Sequence, residues 1–160
     1  MEANSEVFAA VIGMVAQGCW LGYGSTLFIE FRPPQPEREF VRHPRGEFAL
    51  QTPSLMLWRI EQGDQIIAGS QDDSPALDEA PKALNGKILL AAYLFDDTFD
   101  SVLIFSEGIV FRTFSASGWT GSIENDYLWL LRTDAGSYFN LWPSGMRLRE
   151  ERHALTGVSG

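Results

Sequence analysis

The chain has 160 residues, 45% of them apolar and 21% charged, with twenty-one acidic against twelve basic residues and a net charge of −9. One domain of this size buries enough apolar surface to fold without a metal or disulfide staple, and the charge argues against direct binding to nucleic acid or to an anionic membrane. The single cysteine, Cys19, leaves no disulfide framework and no thiolate metal cluster, so a reducing compartment, the cytoplasm, is expected.

The apolar start over 7–16 is preceded by two Glu, and no Lys or Arg occurs before Arg32, which argues against a secretory leader. Asn4 or Ser5 can cap a short helix over 6–12, with Gly13 suited to a left-handed exit. Residues 14–21 then read as a strand, Gly22-Tyr23-Gly24-Ser25 as a tight reversal, and 26–31 as its hairpin partner, with Leu27, Ile29 and Phe31 on one face. Pro33, Pro34, Pro36 and Pro44 make 32–46 a long loop. Strands follow at 48–52, 55–61 and 65–69, the last two joined at Gly63-Asp64.

A polar joint over 69–74 leads to Asp73 or Ser74 as a second helix cap, Pro75 in the first turn, a helix over 76–84 and an exit at Asn85-Gly86. Residues 88–95 are apolar almost throughout and read as a strand covered on both faces. Hairpins over 102–114 and 127–142 follow, turning at Ser106-Glu107-Gly108 and Thr133-Asp134-Ala135-Gly136, with a Gly/Ser loop between them; 146–160 is a polar tail.

The helix exit, strand, turn and strand of the first half recur in the second. Gly13 and Gly86 lie 73 positions apart, and the closing Phe31 and Phe105 lie 74 apart. The expected fold is mainly β (β-rich α+β): one domain with a pseudo-repeat, about 5–70 and 74–145, made of two related β-meander halves each preceded by a short helix. A sandwich and a partly open barrel bury the same alternating faces.

Catalytic material is sparse. His43 and His153 lie in loop and tail, no Gly-x-Ser-x-Gly elbow is present, and Cys19 sits in an apolar strand as a core thiol. The carboxylate clusters Asp72-Asp73, Asp78-Glu79 and Asp96-Asp97 with Asp100 fall at turns and helix starts, where Asp serves capping whatever the function. No calcium-loop grammar, phosphate loop or dinucleotide loop appears, so no metal, no cofactor and no catalytic residue is assigned. Recognition features remain. Arg38, Arg42 and Arg45 gather with Arg32 in the long loop, and arginine forks suit carboxylate or phosphate partners. Trp119, between glycines, is either a lid on the core or an anchor offered to a partner. Trp20, Trp58, Trp129 and Trp142 fall on strands and are expected mostly in the core.

The segments Gly22-Tyr23-Gly24-Ser25-Thr26, Trp58-Arg59-Ile60, Leu84-Asn85-Gly86-Lys87-Ile88, Leu103-Ile104-Phe105-Ser106-Glu107-Gly108 and Tyr127-Leu128-Trp129 resemble a group of small uncharacterised bacterial β-rich proteins, over roughly 8–142. Some of that group are associated with toxin and immunity loci, and no catalytic residue comes with the resemblance. Together with the negative charge, the missing catalytic set and the abundant aromatics, the resemblance leads to the expectation of a non-enzymatic, acidic cytoplasmic binding protein, monomer or homodimer, that occludes a protein partner such as a basic toxin. The expected contacts are Trp119, Asp96, Asp97 and Asp100, with Arg38, Arg42 and Arg45 second. The alternative is a small-molecule-binding barrel or a carboxylate-dependent hydrolase with a tryptophan-lined cavity.

Overall fold

The computed structural model describes residues 3–34, 46–52, 56–95, 98–114, 129–142 and 144–149. These residues form two antiparallel sheets stacked as a sandwich, with two short helices and no closed barrel. The first half supplies β1 (Ala3–Asn4), β2 (Val15–Ala16), β3 (Trp20–Leu21), β4 (Leu27–Arg32), β5 (Phe48–Gln51), β6 (Leu57–Gln62) and β7 (Gln65–Gly69). Helices α1 (Ser74–Leu77) and α2 (Glu79–Leu84) follow. Then come β8 (Leu89–Phe95), β9 (Ser101–Phe105), β10 (Ile109–Phe114), β11 (Trp129–Arg132), β12 (Tyr138–Trp142) and β13 (Gly145–Leu148).

Neither sheet belongs to one half. Sheet A runs β1-β8-β9-β10-β6-β7, and sheet B runs β13-β12-β11-β5-β4-β2, with β3 also on β4. Each three-strand meander is therefore completed by a hairpin from the other half: β6–β7 adds to β10, and β11–β12 adds to β5. The registers correspond step for step. In sheet B, Phe28 lies opposite Gln51 and Gln51 opposite Leu130; in sheet A, Val102 lies opposite Arg112 and Arg112 opposite Arg59. The next pairs, Ile29 with Leu50 and Leu50 with Leu131, answer to Leu103 with Phe111 and Phe111 with Ile60.

Alternation makes the core. Leu27, Ile29 and Phe31 of β4, Leu103 and Phe105 of β9, and Ile109 and Phe111 of β10 turn inward and are buried. One tryptophan from each added hairpin joins them. Trp58 and Trp129 both pack on Phe111, with ring centroids 5.6 and 5.8 Å away. Their indole N–H groups are satisfied: Trp58 donates to the Ser25 carbonyl at 2.8 Å and Trp129 to Ser101 Oγ at 2.9 Å. Buried threonines hold the strand starts in the same way, Thr52 Oγ1 accepting from Leu27 N–H at 3.0 Å and Thr113 Oγ1 from Ser101 N–H at 3.1 Å.

Several local expectations are revised. The first helix shortens to a 3-10 turn at Glu6–Phe8, with Asn4 Oδ1 accepting from Glu6 N–H at 2.8 Å. The strand expected over 14–21 breaks into β2 and β3 around Gly18, at φ +77°. Strand β8 is not covered on both faces, because Leu90 and Tyr93 are exposed and the register shifts between Leu89 and Ala91. The polar tail begins with an edge strand, β13 on β12. Trp58 and Trp129 are in the core, whereas Trp20 is 46% exposed, because β3 is short and turns that ring outward.

Phe111 is the ring on which both tryptophans converge. Phe111→Ala should cost about 3–5 kcal/mol in urea unfolding and should shift the fluorescence of Trp58 and Trp129 in one transition. A cost near zero would show that the two hairpins do not share a core.

Candidate functional site

The outer face of sheet B carries a concave site built from two cross-strand rows. One row runs Trp20, Phe28, Gln51, Leu130 and the next runs Glu30, Ala49, Arg132, Tyr138. Together these eight residues line a cleft of about 410 Å³ open to solvent, a size suited to a small molecule or a projecting side chain. Trp20 lies flat on Phe28, with ring centroids 3.8 Å apart and planes at 1°. Gly22 leaves the space for this stack, since a Cβ there would lie 2.7 Å from the Phe28 ring.

The floor is an ion pair that bridges a strand. Glu30 on β4 and Arg132 on β11 flank β5, and the small side chain of Ala49 between them lets the guanidinium reach across. Arg132 Nη2 donates to Glu30 Oε2 at 2.7 Å and Nη1 to Oε1 at 3.4 Å. Gly46 closes the arrangement: its N–H donates to Glu30 Oε2 at 3.1 Å and its carbonyl accepts from Arg132 Nη2 at 3.0 Å. A Cβ on Gly46 would lie 2.4 Å from the Phe31 carbonyl oxygen, so only glycine approaches β4 closely enough. The Trp20 indole N–H adds a long contact to Glu30 Oε1 at 3.4 Å. Glu30 is 2% exposed, and both of its oxygens accept hydrogen bonds, so the carboxylate is committed to holding the cleft floor.

Tyr138 is 39% exposed at one wall, and Tyr23 projects fully into solvent from the turn that carries Trp20 across to β4. Farther along β12, Trp142 lies under the Arg147 guanidinium, 4.7 Å from its ring centroid. Aromatic side chains thus recur on sheet B at Trp20, Phe28, Tyr138 and Trp142.

The corresponding positions of sheet A hold different chemistry. Where sheet B has Gln51, Leu130 and Arg132, sheet A has Arg112, Arg59 and Glu61. Glu61 Oε2 accepts from Arg59 Nε at 3.1 Å and from Arg112 Nε at 2.6 Å. Burial pushes the Glu61 carboxyl up, but the hydrogen bonds and charges of Arg59 and Arg112 outweigh it and hold it below its ordinary value. Two arginines directly opposite each other across strands would repel, and Glu61 relieves that repulsion.

Of the residues expected to make contacts, Asp100 lies in the described turn between β8 and β9, half-buried, with its carbonyl accepting from Phe95 N–H. Trp119, Asp96, Asp97, Arg38, Arg42 and Arg45 lie outside the described residues. No group of three or more metal-ligating side chains occurs among the described residues. Cys19 is buried, donates its N–H to Asn85 Oδ1 at 3.0 Å, and has its thiol pushed up to about 12, chiefly by burial. It is thus a poor nucleophile. No helix among the described residues is long and apolar enough to cross a membrane. No protein-family model, curated protein or solved structure matches the chain.

Sequence reasoning missed the cleft, although Phe28, Glu30 and Arg32 alternating outward from β4 signalled a polar and aromatic outer face. Arg132→Met should cost about 3–5 kcal/mol in urea unfolding, because it strands the Glu30 charge, and adding Glu30→Leu should recover much of that loss. Equal costs for the single and double variants would show that the pair is not coupled.

Glu61 predicts a pH effect of definite sign. Its stabilising contribution is complete above the ordinary value of 4.5 and is lost as pH falls through the lowered value, because in that window the unfolded state binds more protons. The acid-side fall in Tm should therefore be shallower in Glu61→Gln than in the native chain. Parallel profiles would remove Glu61 from the acid response.

Proposed function

We propose that the protein is a non-enzymatic binding protein that occludes a protein partner, in the manner of an immunity or inhibitor protein, through the outer face of sheet B. The observation that carries this reading is the Trp20, Phe28 and Tyr138 cleft, an exposed aromatic concavity on the outer face of the sandwich. Aromatic anchors in pockets dominate protein recognition, because they bury much area at little conformational cost. The floor supports recognition over chemistry: Glu30 is bridged to Arg132 and Gly46, and Cys19 is held as an unreactive thiol.

On this reading the partner seats a side chain against Trp20, and the net charge of −9 steers a basic surface towards the protein. A partner such as a toxin with a basic face fits that field, and the protein acts in the cytoplasm as a monomer or homodimer. One β-unit used twice would account for the matched registers of the two sheets, with the outer face of sheet B specialised for binding. The size of the cleft also favours a second reading, a small aromatic ligand held between Trp20 and Tyr138.

Affinity capture from host lysate with the native chain and with Trp20→Ala, read by mass spectrometry and native mass measurement, separates these readings. The expected result is one stoichiometric protein retained by the native chain and weakened by about 2 kcal/mol or more in Trp20→Ala, with unfolding midpoints unchanged. Retention unaffected by Trp20→Ala would overturn the assignment of the face. A co-purifying small molecule lost in the variant would establish the ligand reading.

A further inference from the structure

We infer that the chain is one β-unit used twice in tandem, and that each unit is completed only by docking its second hairpin onto a second copy of the unit, supplied here by the other half of the same chain. This goes beyond the recognition role and does not depend on it. The free edges of β5 and β10 are the docking surfaces, and β11–β12 and β6–β7 are their occupants.

Three independent observations carry it. The first is register. One fixed offset for each strand superposes the ladder of β4, β5, β11 and β12 on that of β9, β10, β6 and β7, including Leu130 opposite Asn140 answering to Arg59 opposite Gly69, up to the bulge between Ile60 and Glu61, where β6 and β7 slip by one residue.

The second is a local two-fold relation between the halves. Val15 and Ile88, 73 positions apart, form an isolated antiparallel bridge with each other. Around it Gly13 N–H donates to the Leu89 carbonyl at 2.8 Å, and its counterpart Gly86 N–H donates to the Ala16 carbonyl at 2.7 Å. Ala16 N–H donates to Lys87 O at 2.8 Å and its counterpart Leu89 N–H to Met14 O at 3.0 Å. A shift of 73 positions exchanges the members of each pair. Gly13 and Gly86 make the same left-handed exit, at φ +85° and +84°.

The third is chemical. Each exchanged hairpin pairs its backbone with the other half while its tryptophan N–H stays bonded to its own half, Trp58 to Ser25 and Trp129 to Ser101. Two unrelated halves packed by chance would share neither the register nor the paired hydrogen bonds.

The exchange makes the two halves obligate partners. A protease site inserted between Asp72 and Asp73 of the full chain lies just past the small turn in which Gly69 N–H donates to Asp72 Oδ2. After cutting, the fragments should elute together at the volume of the uncut protein. Their Tm should fall on dilution, as for a two-chain complex, while that of the uncut chain does not change. Neither fragment should keep a folded sheet once separated in denaturant and returned alone at low concentration, and remixing should restore the native fluorescence.

Fragments that part under native conditions would overturn the inference, as would a cut protein with dilution-independent Tm or one fragment that stays folded as a lone monomer. If the insertion spoils the uncut chain, 1–72 and 73–160 are co-expressed as separate chains: a one-to-one complex supports the inference and its absence sinks it.

Discussion

Backbone hydrogen bonding at the edges of β5 and β10 is the constraint on which the rest of the structure depends. Each meander ends on a strand with an unpaired edge, and such an edge must be paired, covered or blunted to avoid association with another chain. In this molecule the neighbouring half pairs it. β11 fills the edge of β5, β6 fills the edge of β10, and the chain crosses between sheets after Gln51 and again after Phe114. Crossing in both directions ties the sheets together covalently as well as by packing, and it delivers Trp58 and Trp129 to the same Phe111 ring, one stacked on it and the other edge-on. The core is consequently shared between the halves, and neither half contains a finished apolar interior.

The same constraint fixes where a site can form. Two sheets of matched register present two outer faces with the same backbone grid, so any difference between them rests on side chains. Ala49 and Gly46 decide sheet B. The first is small enough for Arg132 to reach over β5 to Glu30, and the second brings a backbone N–H and carbonyl onto that pair. At the matching place of Ala49 sheet A has Val110, and its charges sort into the Arg59, Glu61, Arg112 cluster on adjacent strands. A depression flanked by aromatics forms on one face, and a charge cluster of two arginines about one glutamate forms on the other.

Much of the fold could be read from the residues, because alternation is local. Leu27, Ile29 and Phe31, or Ile109, Phe111 and Thr113, mark their inward faces without knowledge of any partner strand. The left-handed exits at Gly13 and Gly86 were legible for the same reason, since a positive φ is a property of one residue. What could not be read was non-local. That Glu30 is buried depends on Arg132, 102 positions away, and that Ala49 separates them depends on the register of β5 with β11. Trp20 falls in a segment that reads as one strand over 14–21, and a strand tryptophan is expected mostly in the core. The break at Gly18 leaves a two-residue strand instead, whose outward position it takes. The loop residues expected from sequence to make contacts, Trp119 and the arginines at 38, 42 and 45, lie outside the described residues.

A carboxylate in a cleft invites a catalytic reading, and the hydrogen bonds of Glu30 weigh against it. General-base action requires an oxygen free to approach a substrate proton at hydrogen-bond distance. Here Oε2 accepts from Arg132 at 2.7 Å and from Gly46 at 3.1 Å, while Oε1 faces Arg132 and the Trp20 indole, each at 3.4 Å. Withdrawing the carboxylate to act on a substrate would leave the Arg132 guanidinium, itself mostly buried, without its counter-charge, a cost that truncation of buried pairs puts at about 3–5 kcal/mol. The pair therefore acts as a rigid floor. What it leaves available to a partner is the aromatic wall, where Trp20 is stacked on Phe28 and its indole reaches Glu30, so little ordering cost attaches to binding at that ring.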